Sequence, residues 1–210
     1  MLGIAGAHRV GKSTLAKAFA DEHDMDYLST EVGSVFEELG LDPAVTYDFS
    51  TRLKVQRAIL RHVDKLYGAV EDRDNTITDR TPLDLLIYTY AEVAGDNITE
   101  EQNAELKAYT ADCLEVLNRR FGMVMILQPG IPVIAAPGKA SLNESYIEHL
   151  NLLCLGFMSD ERVKVKCAYI PRSCTDLQRR IDATYRTFES FFKAAENEVL
   201  NELEHGNSVH

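Results

Sequence analysis

Nine residues near the start of the chain have the types and spacing of a phosphate-binding loop. The segment from Gly6 to Thr14 reads GAHRVGKST and fits the pattern G-x-x-x-x-G-K-[ST]. Glycines at the fixed positions let the backbone curl, so that successive N–H groups point inward and cradle phosphate oxygens. The lysine can then reach the β- and γ-phosphates, and the hydroxyl that follows it can hold a Mg²⁺ ion. The residues expected to contact ATP are Gly6, His8, Arg9, Val10, Gly11, Lys12, Ser13 and Thr14.

The sequence on either side of this loop predicts the elements that a phosphate site requires. The apolar run Met1 to Ala5 reads as a buried strand, and TLAKAFA after the loop reads as a helix. The phosphates would then lie at a helix N-terminus, where backbone N–H groups and the helix dipole favour anions. Further strands are predicted at 25–29, 76–79, 122–127 and 163–170. Helices are predicted at 33–39, at about 47–72, at 82–94, 98–120 and 142–155, and after a Ser173-x-x-Asp176 capping box.

Alternating strands and helices favour an α/β protein with a parallel sheet covered on both faces. We therefore predict a three-layer P-loop NTPase fold with a five-stranded parallel sheet flanked by helices, in one domain spanning residues 1–210. The segment 128–141 contains three prolines and two glycines, which indicates either a surface excursion or a mobile lid over a substrate.

Two acids are expected to approach the phosphate loop, because ligands of parallel sheets lie beyond the carboxyl ends of the strands. Glu31 follows the second predicted strand, and Asp79 ends the third. A P-loop protein keeps its Mg²⁺-associated acid at the position of Asp79, so Ser13 and Asp79 are the expected metal ligands. The alternative is that Asp79 caps the next helix, although Thr81 before Pro82 also suits that role. Because Arg80 follows Asp79, no second acid is available there to activate water, and this favours phosphoryl transfer over hydrolysis.

A row of cations follows one side of the long helix predicted at 47–72. Lys54, Arg57, Arg61 and Lys65 fall opposite its broad apolar face. One interpretation is a solvated helix face. The other is that Arg57 and Arg61 bind an anionic substrate, because the planar guanidinium matches phosphate oxygens.

Composition narrows the classes of protein further. The chain has 210 residues and a formal net charge of −11, which argues against broad non-specific binding to duplex DNA. No apolar run approaches the roughly 20 residues needed to cross a bilayer, and Met1 to Ala5 is too short for a signal peptide. We therefore expect an intracellular protein without a membrane partner. Four cysteines without a C-x-x-C pair favour reduced core thiols over a metal site.

Several segments together resemble the phage-associated P-loop kinases, which are similar to thymidylate and deoxynucleoside kinases. They are GAHRVGKSTLA, the Glu31 segment, Asp79-Arg80-Thr81-Pro82 and Gln128-Pro129-Gly130-Ile131-Pro132, in this order. The resemblance implies that Glu31 contacts the acceptor sugar or acts as a general base, although a plain helix N-terminal acid is the alternative. It also implies that Asp79 and Arg80 serve acid and substrate-phosphate roles.

The resemblance is incomplete at the lid. Many nucleotide kinases carry several arginines there, but residues 128–141 contain Lys139 as their only basic side chain. Lys139 is therefore the expected lid contact to the substrate. The charge of the transition state would be met instead by Arg9, Arg172 or Arg179, and Arg172 is also expected to contact the nucleotide.

These observations predict an ATP- and Mg²⁺-dependent phosphotransferase, most simply a deoxynucleoside monophosphate kinase with a pyrimidine-type, thymidylate-like acceptor. Its catalytic residues would be Lys12, Asp79, Glu31 and Arg80, and its substrate-binding residues Glu31, Arg57, Arg61, Arg80 and Lys139. One alternative is a kinase that phosphorylates 5-hydroxymethyluracil in phage DNA, which would make DNA the partner. Another is a nucleotide-binding regulatory ATPase. The resemblance further implies a phage protein that acts in the host cytoplasm, and a homodimer is one expected state.

Overall fold

The computed structural model describes residues 1–43, 45–93, 98–132 and 143–206, with side chains as far as residue 194. Its strands are β1 (Leu2–Ala5), β2 (Asp26–Leu28), β3 (Thr76–Thr78), β4 (Met123–Leu127) and β5 (Lys166–Ile170). Its helices are α1 (Lys12–His23), α2 (Gly33–Glu38), α3 (Phe49–Ala69), α4 (Pro82–Tyr90), α5 (Glu100–Arg120), α6 (Glu144–Met158) and α7 (Leu177–Gly206). Each strand predicted from the sequence is present.

The strands form one parallel sheet in the order β2-β3-β1-β4-β5. Strand β1 lies in the centre, where Leu2 pairs with Ile77 of β3 on one side and with Met123 of β4 on the other. Helices α1 and α7 pack together, while α3, α4, α5 and α6 pack with one another, which gives a helical layer on each face. The structure thus confirms the predicted three-layer α/β fold with five parallel strands.

Helix α3 shows how the apolar pattern fixes this packing. Its buried residues recur at helical spacing and face the core. They are Leu53, Val55, Ile59, Leu60, Val63 and Tyr67. Asp48 begins the helix, because its carboxylate accepts a hydrogen bond from the backbone N–H of Thr51 at 3.0 Å. The helix ends at Ala69, three residues before the predicted limit.

Two local predictions were wrong, and side-chain hydrogen bonds explain both. Strand β5 begins at Lys166 and not at residue 163, because Asn118 of α5 accepts the N–H groups of Lys164 and Val165 and holds them off the ladder. Helix α7 is not started by a Ser173 capping box. Asp176 lies just before the helix, and its carboxylate accepts the N–H of Arg179 at 2.9 Å.

Among the described residues, none of the helices combines the length and the apolar character that crossing a bilayer requires.

Candidate active site

The segment between β1 and α1 adopts the strand–loop–helix arrangement that a phosphate-binding loop requires. Gly6 and Gly11 have φ angles of 136° and 91°, which favour glycine, and Arg9 between them has a φ of 67°. A β-carbon at Gly6 would lie 2.6 Å from the carbonyl oxygen of Leu127, so the loop fits against β4 only with glycine there. Gly11 in the left-handed conformation leads directly into α1. The glycine spacing therefore reports a real backbone requirement.

The side chain of Lys12 folds back over this loop. Its Nζ donates hydrogen bonds to the carbonyl oxygens of Gly6 at 2.7 Å and Ala7 at 2.8 Å, and the side chain is 11% exposed. Burial lowers the pKa of Lys12, and the nearby Asp84 carboxylate opposes that shift. The loop backbone thus holds the ammonium group at the mouth of the phosphate site.

Asp84 is a functional candidate that sequence reasoning missed. Its carboxylate is fully buried, lies 3.5 Å from Lys12 Nζ and accepts the backbone N–H of Gly6 at 3.3 Å. It also accepts the backbone N–H and the hydroxyl of Thr81 at 2.9 and 2.8 Å, and so completes a capping box at the start of α4. The predicted cap at Thr81 is confirmed. The available signal was a Thr-x-x-Asp pattern that puts an acid inside an otherwise apolar helix.

The expected metal ligands lie on neighbouring elements at this edge of the sheet. Ser13 is exposed in the first turn of α1, and Asp79 follows β3, which pairs directly with β1. Burial raises the pKa of Tyr27 to about 12, and the charge of Asp79 and a hydrogen bond to it add to the shift. Tyr27 therefore stays a neutral donor to Asp79. A hydroxyl and a carboxylate are hard oxygen ligands that suit Mg²⁺.

Glu31 stands in a strained backbone conformation directly after β2. Its φ angle is 40°, in the left-handed region that non-glycine residues seldom adopt. Hydrogen bonds hold the backbone on both sides of Glu31. Before it, the ring Nε2 of His62 on α3 lies 3.0 Å from the carbonyl oxygen of Thr30. After it, Ser34 donates hydrogen bonds to the carbonyl oxygen of Glu31. The side chain of Glu31 is exposed. Backbone strain of this kind is common at functional sites, and the predicted role of Glu31 stays a prediction.

Arg80 is positioned through its backbone. The hydroxyl of the buried Tyr67 donates to the carbonyl oxygen of Arg80 at 2.7 Å. The charges of Arg80 and Asp79 both act on the pKa of Lys12, Arg80 lowering it and Asp79 raising it. Asp79 and Arg80 therefore lie near Lys12, at the edge of the sheet where the sequence placed Lys12, Glu31 and Asp79 together. The approach of Glu31 to the phosphate loop stays a prediction.

The cation row on α3 meets α5 instead. Arg57 donates to the Asp112 carboxylate at 3.0 Å and to the Glu105 carbonyl at 2.8 Å. Arg61 lies beside the same charged groove between α3 and α5. A substrate role for these two arginines stays a prediction.

The remaining predicted contacts lie around the loop after β4. Arg172 donates to Glu148 of α6 at 2.6 Å and is half exposed. Gly130 packs so closely on the backbone of Arg172 that a β-carbon there would collide with the Arg172 carbonyl oxygen. The first part of the predicted lid, 128–132, is thus seated against the segment after β5. Lys139 and the rest of the predicted lid, from residue 133, lie outside the described residues.

A pocket that sequence reasoning missed opens between α2, α3 and α4. It encloses a volume of about 220 Å³, much more than the roughly 30 Å³ that one water occupies in the liquid. Four of its twelve lining residues carry aromatic rings, namely Phe36, Tyr47, Phe49 and Tyr88. The others are Pro43, Val45, Arg52, Leu53, Val55, Gln56, Thr89 and Glu92. The aromatic rings come from three separate stretches of the chain, so no local sequence pattern predicts the pocket.

Two features of this pocket bear on its ligand. Gln56 lines the pocket, and its Oε1 atom is buried without a hydrogen-bond partner among the described residues. Arg52 is already paired with Glu92 across the pocket. The described cation of the pocket is therefore neutralised by the protein itself.

Tyr88 joins the pocket to the phosphate loop. Its hydroxyl lies 3.3 Å from Nδ1 of His8, and the His8 ring contacts the rings of Tyr88 and Tyr146, with centroids 6.2 and 5.9 Å away. His8 thus forms part of the wall between the two sites, and its expected contact with ATP stays a prediction.

Solved structures provide relatives of this fold. The chain is similar to deoxyadenosine kinase from M. mycoides with bound dATP, at a TM-score of 0.65 and 20% identity over 90% of this chain and 98% of that one. The same kinase with the products dCMP and a flexible dCDP gives the same values. The NadR protein in complex with NR matches at a TM-score of 0.62 and 11% identity, over 88% of this chain and 49% of that one. No protein-family model and no curated protein matches the chain.

The sheet order, the phosphate loop and these neighbours define the class of fold. The chain has the P-loop NTPase fold of the nucleoside kinases. At about 20% identity the likeness extends to the fold alone.

Proposed function

We propose that this protein is an ATP-dependent P-loop kinase that transfers a phosphoryl group to the hydroxyl of a nucleoside-type acceptor. The observation that carries the proposal is the aromatic pocket beside the phosphate loop, with Tyr88 and His8 as the shared wall. An anion site next to a pocket for a planar molecule is what phosphoryl transfer to a nucleoside requires. Such catalysis consists mainly of positioning and electrostatic stabilisation.

The phosphate loop would hold the donor. Backbone N–H groups of the loop after Gly6 and the ammonium of Lys12 would bind the phosphates of ATP, while the N–H of Gly6 itself is bonded to Asp84. Arg9 and Arg172 would be the cations for the transferring group, and Arg172 would have to leave Glu148 to reach it. Ser13 and Asp79 would hold Mg²⁺, which neutralises charge on the phosphates when bound. The buried Asp84 keeps Lys12 and the start of the loop in register.

The pocket would hold the acceptor. Its rings stack on a planar base, and the free Oε1 of Gln56 accepts a hydrogen bond from a ring N–H or an amino group. Glu31 would take the proton of the acceptor hydroxyl. The oxygen of that hydroxyl would attack the γ-phosphorus of ATP, and the bond between the γ-phosphorus and ADP would break. Arg80 would offset the negative charge that develops between the two substrates.

The charge of the pocket favours an uncharged nucleoside over the monophosphate that the sequence suggested. Arg52 is paired with Glu92, and Arg57 with Asp112. Neither guanidinium is available for a second phosphate without losing its carboxylate. The solved structure of deoxyadenosine kinase holds the products dCMP and a flexible dCDP, which supports a deoxynucleoside-type acceptor in general. A deoxynucleoside monophosphate, bound through Arg80 and Lys139, is the second candidate.

The chain would act as a single kinase domain in which residues 128–141 form a lid that excludes water from the transfer. The part of this segment that the structure describes, 128–132, rests on the backbone of Arg172.

The test supplies γ-labelled ATP and Mg²⁺ with three kinds of acceptor: deoxynucleosides, their monophosphates, and DNA containing 5-hydroxymethyluracil. We expect label in a nucleoside monophosphate. Label in a diphosphate would instead support the nucleotide kinase, and label in DNA the DNA kinase. Release of inorganic phosphate alone would support a regulatory ATPase and overturn the proposal. Lys12→Ala should abolish transfer, while Lys17→Ala, on the exposed side of the same helix, should not.

A further inference from the structure

Arg180 on α7 reaches the phosphate loop from the far end of the chain. The residue is 3% exposed and lies in the first turn of the helix. Its Nη1 donates a hydrogen bond of 2.8 Å to the carbonyl oxygen of Val10, 170 positions earlier in the sequence. Its Nε donates to the carbonyl oxygen of Cys174 at 2.7 Å. The guanidinium therefore joins the phosphate loop to the segment between β5 and α7.

The bond to Val10 has a consequence for the next residue of the loop. The peptide between Val10 and Gly11 is planar and trans, so its carbonyl and its N–H point in opposite directions. Arg180 holds the carbonyl on the α7 side. The N–H of Gly11 must then point away from α7.

We propose that Arg180 is a positioning residue: it fixes the Val10–Gly11 peptide and thereby aims the N–H of Gly11 at the phosphates of the donor nucleotide. This inference rests on the proposed binding of ATP by the loop, but not on the identity of the acceptor. It assigns a binding function to a residue that touches only the outside of the site.

Burying an arginine here costs the folded state free energy, which argues against a role in packing alone. Its Nη2 is buried without a hydrogen-bond partner among the described residues, and a buried, unsatisfied donor destabilises a fold. An apolar side chain would avoid that cost. What an apolar side chain could not do is hold the Val10 carbonyl.

The local packing leaves little freedom for this peptide once Arg180 is in place. A β-carbon at Gly11 would lie 3.3 Å from Nη1 of Arg180 and 3.4 Å from the methyl of Ile131. Gly11 also needs its φ of 91°. The guanidinium and Ile131, at the start of the loop after β4, thus both lie against Gly11.

The test measures equilibrium binding of ATP and of a nucleoside, each alone, to wild type, Arg180→Gln, Arg180→Lys and Arg186→Gln. Arg186 is an exposed arginine two turns along α7, so its replacement makes the same change in net charge. We expect Arg180→Gln to weaken ATP binding by about tenfold, since a hydrogen bond from a charged donor and one loop contact are lost. Arg180→Lys should recover part of the affinity. Nucleoside binding should be unchanged in all variants.

A second readout follows the Gly11 amide itself. In ¹⁵N-labelled wild type, addition of ATP should shift the Gly11 amide resonance, and in Arg180→Gln that shift should be reduced at saturating ATP. A purely structural role predicts equal losses for ATP and nucleoside and a lower melting temperature.

Equal ATP affinity in wild type and Arg180→Gln would overturn the inference and leave the proposed function intact. A wild-type protein that binds no ATP would overturn both.

Discussion

The carboxylate of Asp84 lies 3.5 Å from the ammonium of Lys12, and the two groups form a buried ion pair between α4 and the phosphate loop. The same carboxylate accepts the N–H of Gly6 and both donors of Thr81. One side chain therefore accepts hydrogen bonds at the start of α4 and at the start of the phosphate loop, and it also balances the charge of the loop lysine.

Removing this carboxylate should destabilise the fold strongly. Asp84→Ala leaves the Lys12 ammonium without its counter-charge and strips the Thr81 donors of their acceptor. We expect a loss of about 3 kcal/mol in the free energy of unfolding, measured by urea denaturation. Thr81→Ala, which removes the cap but keeps the ion pair, should lose only about 1 kcal/mol. Equal losses in the two variants would show that Asp84 acts as a cap alone.

The bond between His62 and the Thr30 carbonyl should matter for catalysis, because it holds the residue before Glu31. We expect His62→Ala to lower kcat by about tenfold or more with little change in the KM for ATP, since a displaced base misses the acceptor hydroxyl. His62→Gln should restore much of the rate, because its amide nitrogen can take the position of Nε2.

Steady-state kinetics of these variants would be compared with Glu38→Ala, an exposed acid on α2. An unchanged kcat in His62→Ala, with Glu31→Gln inactive, would contradict the role given to His62.

Gln56 offers a separation of binding from stability. The buried, unpartnered Oε1 lowers the stability of the folded state. Gln56→Leu should therefore leave the free energy of unfolding unchanged or raise it. The same change should raise the KM for the nucleoside by about tenfold, because the base loses its hydrogen bond. The KM for ATP should stay constant. In the control variant Gln178→Leu, on α7, both KM values should equal those of wild type. A nucleoside KM equal to that of wild type would place the base elsewhere.

The contact between α3 and α5 should depend on pH in a defined direction. Burial raises the pKa of Asp64, but hydrogen bonds from Arg120 at 2.7 Å and Arg119 at 3.1 Å outweigh it and hold the pKa below its ordinary value of 3.8. The ionised form is therefore favoured by folding. Its contribution is complete above the unfolded pKa and is lost as the pH falls through the folded one.

We expect the stability difference between wild type and Asp64→Asn to shrink between about pH 6 and about pH 3 in urea unfolding. Glu38→Gln, at an exposed acid on α2, serves as the comparison and should show a smaller effect. A difference that grows in acid would have the wrong sign for this contact.

The sequence predicted the elements well because their signals are local. A glycine-spaced loop between an apolar strand and a helix, and an acid at the end of β3, each depend on a few adjacent residues. The parallel sheet then follows from the alternation of strands and helices. Lys12 and Asp79 could be placed at one edge for that reason alone.

The residues that were missed act across long separations in sequence. Arg180 meets Val10 and Asp84 meets Gly6 only after the helices have packed. The aromatic pocket likewise draws on α2, α3 and α4 at once. For Arg57, the sequence predicted its position on a cationic helix face but not its partner. Its pairing with Asp112 depends on how α5 lies along α3, which the sequence did not predict.

The central claim is that the phosphate loop and the neighbouring pocket together transfer phosphate to a nucleoside. The most direct measurement is the rate of ADP formation from ATP and Mg²⁺ with increasing deoxynucleoside, alongside the amount of nucleoside monophosphate formed. The account predicts a saturable increase over the acceptor-free rate, with one monophosphate made for each ADP, and loss of both in Lys12→Ala. ADP formation that is unaffected by any nucleoside, with no monophosphate produced, would contradict it.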